Sequence, residues 1–130
     1  MCTAIEFDAG ECGQQGFLRV SSSDRNPKLL IRTFGGNVFV LWGDSKFFHF
    51  KKESLVSGRL LYLKPLPVEI IANRALVNGI WFQVKKGIRG ILIRDTNGLK
   101  RVFIVTQAST HYFKIMTRSE RMPILIDQTI

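Results

Sequence analysis

The feature that most restricts this chain is its punctuation. Short runs of apolar, β-branched and aromatic residues follow one another, and Gly, Asn, Asp and Ser separate them, which is the pattern of successive strands. Strands are expected near 17–20, 28–34, 37–42, 46–50, 59–64, 80–85, 89–94 and 100–106. Gly35-Gly36-Asn37 and Asp95-Thr96-Asn97-Gly98 have hairpin-turn composition, because Gly and Asn tolerate positive φ. The runs Ile91-Leu92-Ile93 and Val102-Phe103-Ile104-Val105 are apolar enough to be central strands covered on both faces. Pro123-Ile124-Leu125-Ile126 is strand-like, and Arg118-Ser119-Glu120-Arg121 before it has the composition of a charged loop. Lys64-Pro65-Leu66-Pro67 is expected as a stiff bend.

Helical signal is confined to 51–57 and to 109–117, where Ser109 and Thr110 are candidate caps ahead of Tyr112, Phe113 and Met116. The expected class is therefore α+β and strand-rich, a mixed sheet or partly closed barrel with one or two short helices. At 130 residues the chain has room for one such domain, 1–130, with no repeat or linker.

Charge narrows the partner. Nineteen Lys and Arg against ten Asp and Glu give a net charge of +9. A field of that sign attracts polyanions, and each phosphate neutralised releases counterions, so nucleic acid is the expected partner; a merely solvated cationic surface is the plain alternative. No run reaches the roughly 18 apolar residues of a membrane span, and Met1-Cys2-Thr3 does not open a signal peptide, so a cytoplasmic protein with reduced Cys2 and Cys12 is expected. His49 and His111 stand at no zinc-ligand spacing from a cysteine, and the sequence holds no P-loop, dinucleotide fingerprint or Ser-His-Asp set; neither metal nor cofactor is expected.

Basic and aromatic residues interleave in Phe47-Phe48-His49-Phe50-Lys51-Lys52 and in Trp81-Phe82-Gln83-Val84-Lys85-Lys86. Rings that stack on unpaired bases beside cations that hold phosphate are the combination used for single strands, although such rings equally serve as core. Lys51, Lys52, Arg59, Arg74, Lys85, Lys86 and Arg121 are the candidate phosphate contacts, with Trp81 and Phe48 as candidate stacking residues. Cys2 offers a different chemistry. Once Met1 is removed, its α-amine and thiol form a 1,2-aminothiol, in which the amine attacks an aldehyde and the thiol closes a thiazolidine. The ring-opened sugar of an abasic site is such an aldehyde.

Taken in order, Met1-Cys2, Asn26-Pro27, Trp42-Gly43, the stretch from Arg74-Ala75-Leu76-Val77 through Gly79-Ile80-Trp81-Phe82-Gln83, Phe103-Ile104-Val105-Thr106-Gln107-Ala108, and Ser119-Glu120-Arg121-Met122-Pro123-Ile124-Leu125 form a collinear set. The set resembles the SOS response-associated peptidase (SRAP) family, the abasic-site shielding proteins, in a shortened form. The resemblance implies an SRAP-like fold, removal of Met1, and covalent capture of abasic sites in single-stranded DNA by Cys2, assisted in the family by an Asn, a Glu and a His. Here the Glu position holds Gln83 and the His position Ser119, with Glu120 beside it; the Asn aligns with Ser57-Gly58-Arg59 or with Ala72-Asn73-Arg74. Loss of general acid and base groups is worth about 10²–10⁴-fold in rate. The alternatives are a catalytically inactive nucleic-acid-binding module, and a mobile-element protein that modulates a host protein complex, which makes a protein the partner.

Overall fold

The computed structural model describes residues 2–44 and 46–130. Among the described residues the strands are β1 (Cys2–Asp8), β2 (Phe17–Ser21), β3 (Lys28–Thr33), β4 (Gly36–Trp42), β5 (His49–Lys51), β6 (Leu66–Ile70), β7 (Arg74–Val77), β8 (Ile80–Gln83), β9 (Ile88–Arg94), β10 (Lys100–Ala108) and β11 (Arg121–Pro123). Two short helices, α1 (Lys52–Val56) and α2 (His111–Thr117), join them, with single 3-10 turns at Ala9–Cys12 and Leu61–Leu63. The class is α+β and strand-rich.

Five strands close into a barrel. β10 pairs β4, β4 pairs β3, β3 pairs β6, β6 pairs β9, and β9 returns to β10; only the β4–β10 seam is parallel. Closure is possible because β10 is apolar on both faces, as its run of Val and Ile predicts. Val102 and Ile104 face a core shared with Leu29, Ile31, Trp42 and Ile88, while Phe103 and Val105 face a smaller cluster with Ile91 and Ile93. Phe50, Leu55 and Leu63 cover that second cluster from β5, α1 and the 3-10 turn. Gly90 permits the close approach of β6: a Cβ there would lie 2.6 Å from Ile70 Cδ1 and 3.0 Å from the Phe103 carbonyl oxygen.

A separate antiparallel sheet, β2-β1-β7-β8, packs one face on the barrel. Its inward residues Ile5, Phe7, Ala75, Val77 and Phe82 join the main core, and α2 seals the end through Phe113, whose ring meets Phe82 edge-on at 5.3 Å. Thr110 caps α2 by accepting from the Phe113 N–H at 3.2 Å.

Several expectations are corrected. Residues 59–64 are not a strand: Gly58 and Lys64 sit in the left-handed region at φ 77° and 50°, and the run between them turns so that Leu63 packs against the smaller cluster while Leu61 and Tyr62 are exposed. Of the bend expected at Lys64-Pro65-Leu66-Pro67 only the first two residues lie outside a strand, since Leu66 and Pro67 already belong to β6. Pro67 is tolerated in β6 because it lies opposite Ile91 of β9, whereas β3 pairs only with Glu69 and Ile70, so the side lacking an N–H faces no strand there. Of 46–50, only the last two residues enter β5; Asp44 Oδ1 accepts from the N–H groups of Lys46 and Phe47 and holds the preceding residues in a loop. The first hairpin turns at Phe34 and Gly35, with Asn37 already in β4. Residues 124–126 fall after β11, where Leu125 makes a single bridge to Ile88. The strand expected at 123–126 lies earlier, as β11 at Arg121–Pro123, and strands β1, β6 and β7 are not among those expected.

Candidate nucleic-acid interface

Alternation in the small sheet decides what meets solvent. Across its outer face run the row Ser21–Ala4–Leu76–Trp81 and the row Arg19–Glu6–Arg74–Gln83, with Phe17 opposite Asp8 beyond them. Period-two geometry sends these side chains away from the core. Trp81 is partly buried in this face, and two guanidiniums lie over its ring, Arg19 at 4.6 Å and Arg74 at 5.4 Å from the ring centre to the guanidinium carbon. Each such contact is worth about 0.5–1 kcal/mol at an exposed site.

Glu6 fixes both arginines from below. Its Oε2 accepts from Arg19 Nη2 at 2.8 Å, and its Oε1 lies 3.7 Å from Arg74 Nη1. The carboxylate is nearly covered, whereas the two guanidiniums remain about half exposed. One buried negative charge under two open positive ones leaves a net cationic platform on an aromatic base. Beside it lies a concavity of about 640 Å³ lined by Phe17, Asn73, Arg74, Gln83 and Lys85.

The expected contacts therefore divide. Arg74, Trp81 and Lys85 come together on this platform, and Gln83, expected instead at the catalytic Glu position, joins them there. Lys86 is not among the residues lining that concavity and pairs with Asp127 at 3.4 Å. Lys51, Lys52 and Arg59 lie on β5, α1 and the turn after α1, at the barrel, apart from the small sheet's outer face. Arg121 is engaged internally: its Nη2 donates to Glu53 at 2.8 Å and to the Thr106 carbonyl at 2.9 Å, tying β11 to α1 and β10. That contact also holds the Glu53 carboxyl below its ordinary range. Phe48 packs its ring against Trp42 at 5.6 Å. Phe17 and Arg19 were missed as contacts, although the alternation Phe17-Leu18-Arg19-Val20 already puts them on one face.

Cys2 is on the opposite, inward face of the same sheet and is fully buried. Its thiol makes a weak contact to the Ala4 carbonyl at 3.6 Å, and burial pushes it up to about 12. His49 Nε2 donates to the Cys2 carbonyl oxygen at 2.8 Å; burial holds this imidazole down to about 4, so it is neutral at pH 7. Cys2 pairs with Val77, and the next residue, Asn78, donates from Nδ2 to the Thr117 carbonyl at 3.0 Å. Thr117 Oγ1 in turn accepts from the Ser119 N–H at 3.2 Å. The fold thus links Cys2 to Ser119 at one corner through Asn78 and Thr117, and adds His49. Gln83 is on the other face of the sheet, and Glu120 is exposed and pairs with Lys114 at 3.0 Å. Ser119 is buried, with Oγ donating to the Arg121 carbonyl at 2.6 Å. Met1, whose removal the SRAP resemblance implies, lies outside the described residues.

Cys2 and Cys12 are free thiols. Among the described residues no helix is long and apolar enough to cross a membrane. In comparisons with known proteins, no family model, no curated protein and no solved structure matches this chain.

Proposed function

We propose that the protein binds nucleic acid, single-stranded DNA in preference to duplex, on the outer face of the four-stranded sheet. The observation that carries this reading is Trp81 lying under Arg19 and Arg74 on a solvent-open sheet, with Phe17, Gln83 and Lys85 around it. A sheet face bearing rings and guanidiniums suits unpaired bases: bases stack on the rings or on guanidinium planes, and free N–H donors meet phosphate oxygens. The net charge of +9 supplies long-range attraction.

Fluorescence anisotropy of a labelled single-stranded 12-mer, against salt and against its duplex, tests the proposal. Stacking is worth about 1–3 kcal/mol per base, so Trp81→Ala is expected to weaken binding about five- to a hundredfold. Arg19→Ala is expected to flatten the salt dependence by about one phosphate. Absence of binding at low salt, or equal binding by both variants, overturns the reading.

Covalent capture of abasic sites by Cys2, implied by the SRAP resemblance, is a second reading, for which the specific observation is the His49 imidazole bonded to the Cys2 carbonyl oxygen at 2.8 Å. It requires Cys2 to be uncovered and Met1 to be removed. Intact-mass spectrometry after incubation with a single-stranded oligonucleotide carrying one abasic site tests it: an adduct abolished by Cys2→Ala supports capture, and no adduct removes it while leaving the platform reading standing.

A further inference from the structure

The barrel is closed at only one end of its parallel seam. β4 pairs with β3 along Gly36–Leu41, but with β10 only where Leu41 meets Arg101 and Trp42 meets Val102. From Gly36 to Val40, therefore, β4 has a neighbour on one edge and, among the described residues, no strand on the other. In an antiparallel pair every second residue turns its N–H and C=O away from its partner, so this edge presents unpaired backbone groups.

The open edge borders a cleft of about 710 Å³ between β4 and the β9–β10 turn, lined by Lys28, Val38, Phe39, Val40, Leu99 and Lys100. Val38, Phe39 and Leu99 are each close to half exposed, an unusual grouping of apolar surface on so charged a chain. The cleft is also electrically polarised. Lys28 and Arg101 both stand opposite Leu41, and Lys100 precedes Arg101, so the cations gather at the closed end of the seam. Arg101 is neutralised by Asp95 at 2.9 Å, whereas Lys28 and Lys100 form no ion pair among the described residues. At the other end Asn37 is tied to Glu11.

We infer that this edge is a docking site for an extended protein segment that adds a strand to β4, carrying apolar side chains at alternate positions and a carboxylate at the end lying over Leu41. Main-chain hydrogen bonds to the β4 edge supply affinity, and the apolar lining and the two lysines supply selectivity. A second copy of this chain is disfavoured as occupant, since it would bring a molecule of charge +9 against Lys28 and Lys100. The site is separate from the platform on the small sheet and stands or falls independently of it.

The test uses the whole protein and a fluorescein-labelled probe peptide, Asp-Val-Thr-Val-Thr-Val-Asp, followed by anisotropy. Saturable binding is expected. Of two versions N-methylated on alternate amides, the one blocked on the edge-facing side is expected to lose about tenfold or more, because two or three backbone hydrogen bonds are removed. The surface variant Lys28→Glu/Lys100→Glu, checked for an unchanged circular dichroism spectrum, is expected to lose the acidic peptide and to gain affinity for its Lys-ended counterpart. Equal binding of both methylated peptides and the parent overturns the inference, as does indifference to the charge reversal. Dimerisation that blocks the probe, or displacement of the probe by the single-stranded 12-mer, assigns the cleft to another occupant and overturns it too.

Discussion

The imidazole of His49 donates its Nε2 proton to the carbonyl oxygen of Cys2 at 2.8 Å. This bond joins β5, an outlying strand of the barrel, to the first residue of β1 in the other sheet, and it fixes the ring as the Nε2–H tautomer, since a carbonyl can only accept.

Its pH consequence has a definite sign. Burial depresses the folded-state pKa of His49 from 6.5 to about 4, so the unfolded chain binds more protons between those values. The contribution to stability is present above pH 6.5 and is lost as the pH falls toward 4, about 3 kcal/mol in all. Urea midpoints measured from pH 7 to pH 4 are expected to fall in the wild type and to fall less in His49→Gln, which keeps a donor without titrating. Equal slopes would assign the acid sensitivity to another group.

Thiol reactivity is expected to separate the two cysteines. Cys12 is partly exposed, its Sγ contacting the Ala9 carbonyl at 3.3 Å, whereas Cys2 is fully covered and its thiol is pushed up to about 12. Iodoacetamide at pH 8 should modify Cys12 in the native protein and both residues in urea, read by peptide mapping. Rapid native modification of Cys2 would show that the β1 corner opens far more readily than its burial implies.

Gly90→Ala should destabilise the barrel by about 1–3 kcal/mol, the usual penalty for overpacking. The added methyl meets Ile70 Cδ1 first, at 2.6 Å. Ile70→Val, which deletes that atom, should therefore recover part of the loss in the double variant, measured by urea unfolding. A simple sum of two destabilisations would show that the Phe103 carbonyl, not Ile70, is the limiting contact.

Glu6 and Arg121 make opposite predictions for binding and stability. Glu6→Gln removes the charge under Arg19 and Arg74 and should raise single-strand affinity severalfold and steepen its salt dependence. Arg121→Ala breaks the Thr106 and Glu53 contacts and should cost about 1–3 kcal/mol in urea stability with single-strand affinity unchanged. Loss of affinity in Arg121→Ala with full stability would make Arg121 a contact after all.

Much of the fold was legible because turn chemistry is local. Asp95 illustrates it: its Oδ1 accepts from the N–H groups of Asn97 and Leu99, and the β9–β10 hairpin follows where the sequence places it. β1 was hidden by a register shift between Cys2 and Ala4, which breaks the apolar alternation and sends Cys2 and Ile5 to the same core. Prolines disguised β6, and leucines without a pairing edge made 59–64 resemble a strand. On the candidate interface, Arg74, Trp81 and Lys85 carried their own signal, whereas the resemblance points Gln83 toward Cys2, from which the sheet separates it. For Arg19 the local alternation gives only its face; that it meets Trp81 depends on the order β2-β1-β7-β8, which no local pattern encodes.

That strand order also sets a timetable for folding. The hairpins β3–β4 and β9–β10 pair neighbours in the chain, but β1 must wait for β7, where Ile5 meets Ala75, and β4 must wait for β10, where Leu41 meets Arg101. During synthesis both segments emerge long before their partners, and loop-closure entropy must be overcome before either contact rewards the chain. Until then the apolar side chains of β1 and the open edges of β3 and β4 are accessible to other molecules. The slow, nonlocal closure of the barrel and the small sheet, rather than any single weak contact, is therefore where misassembly would begin.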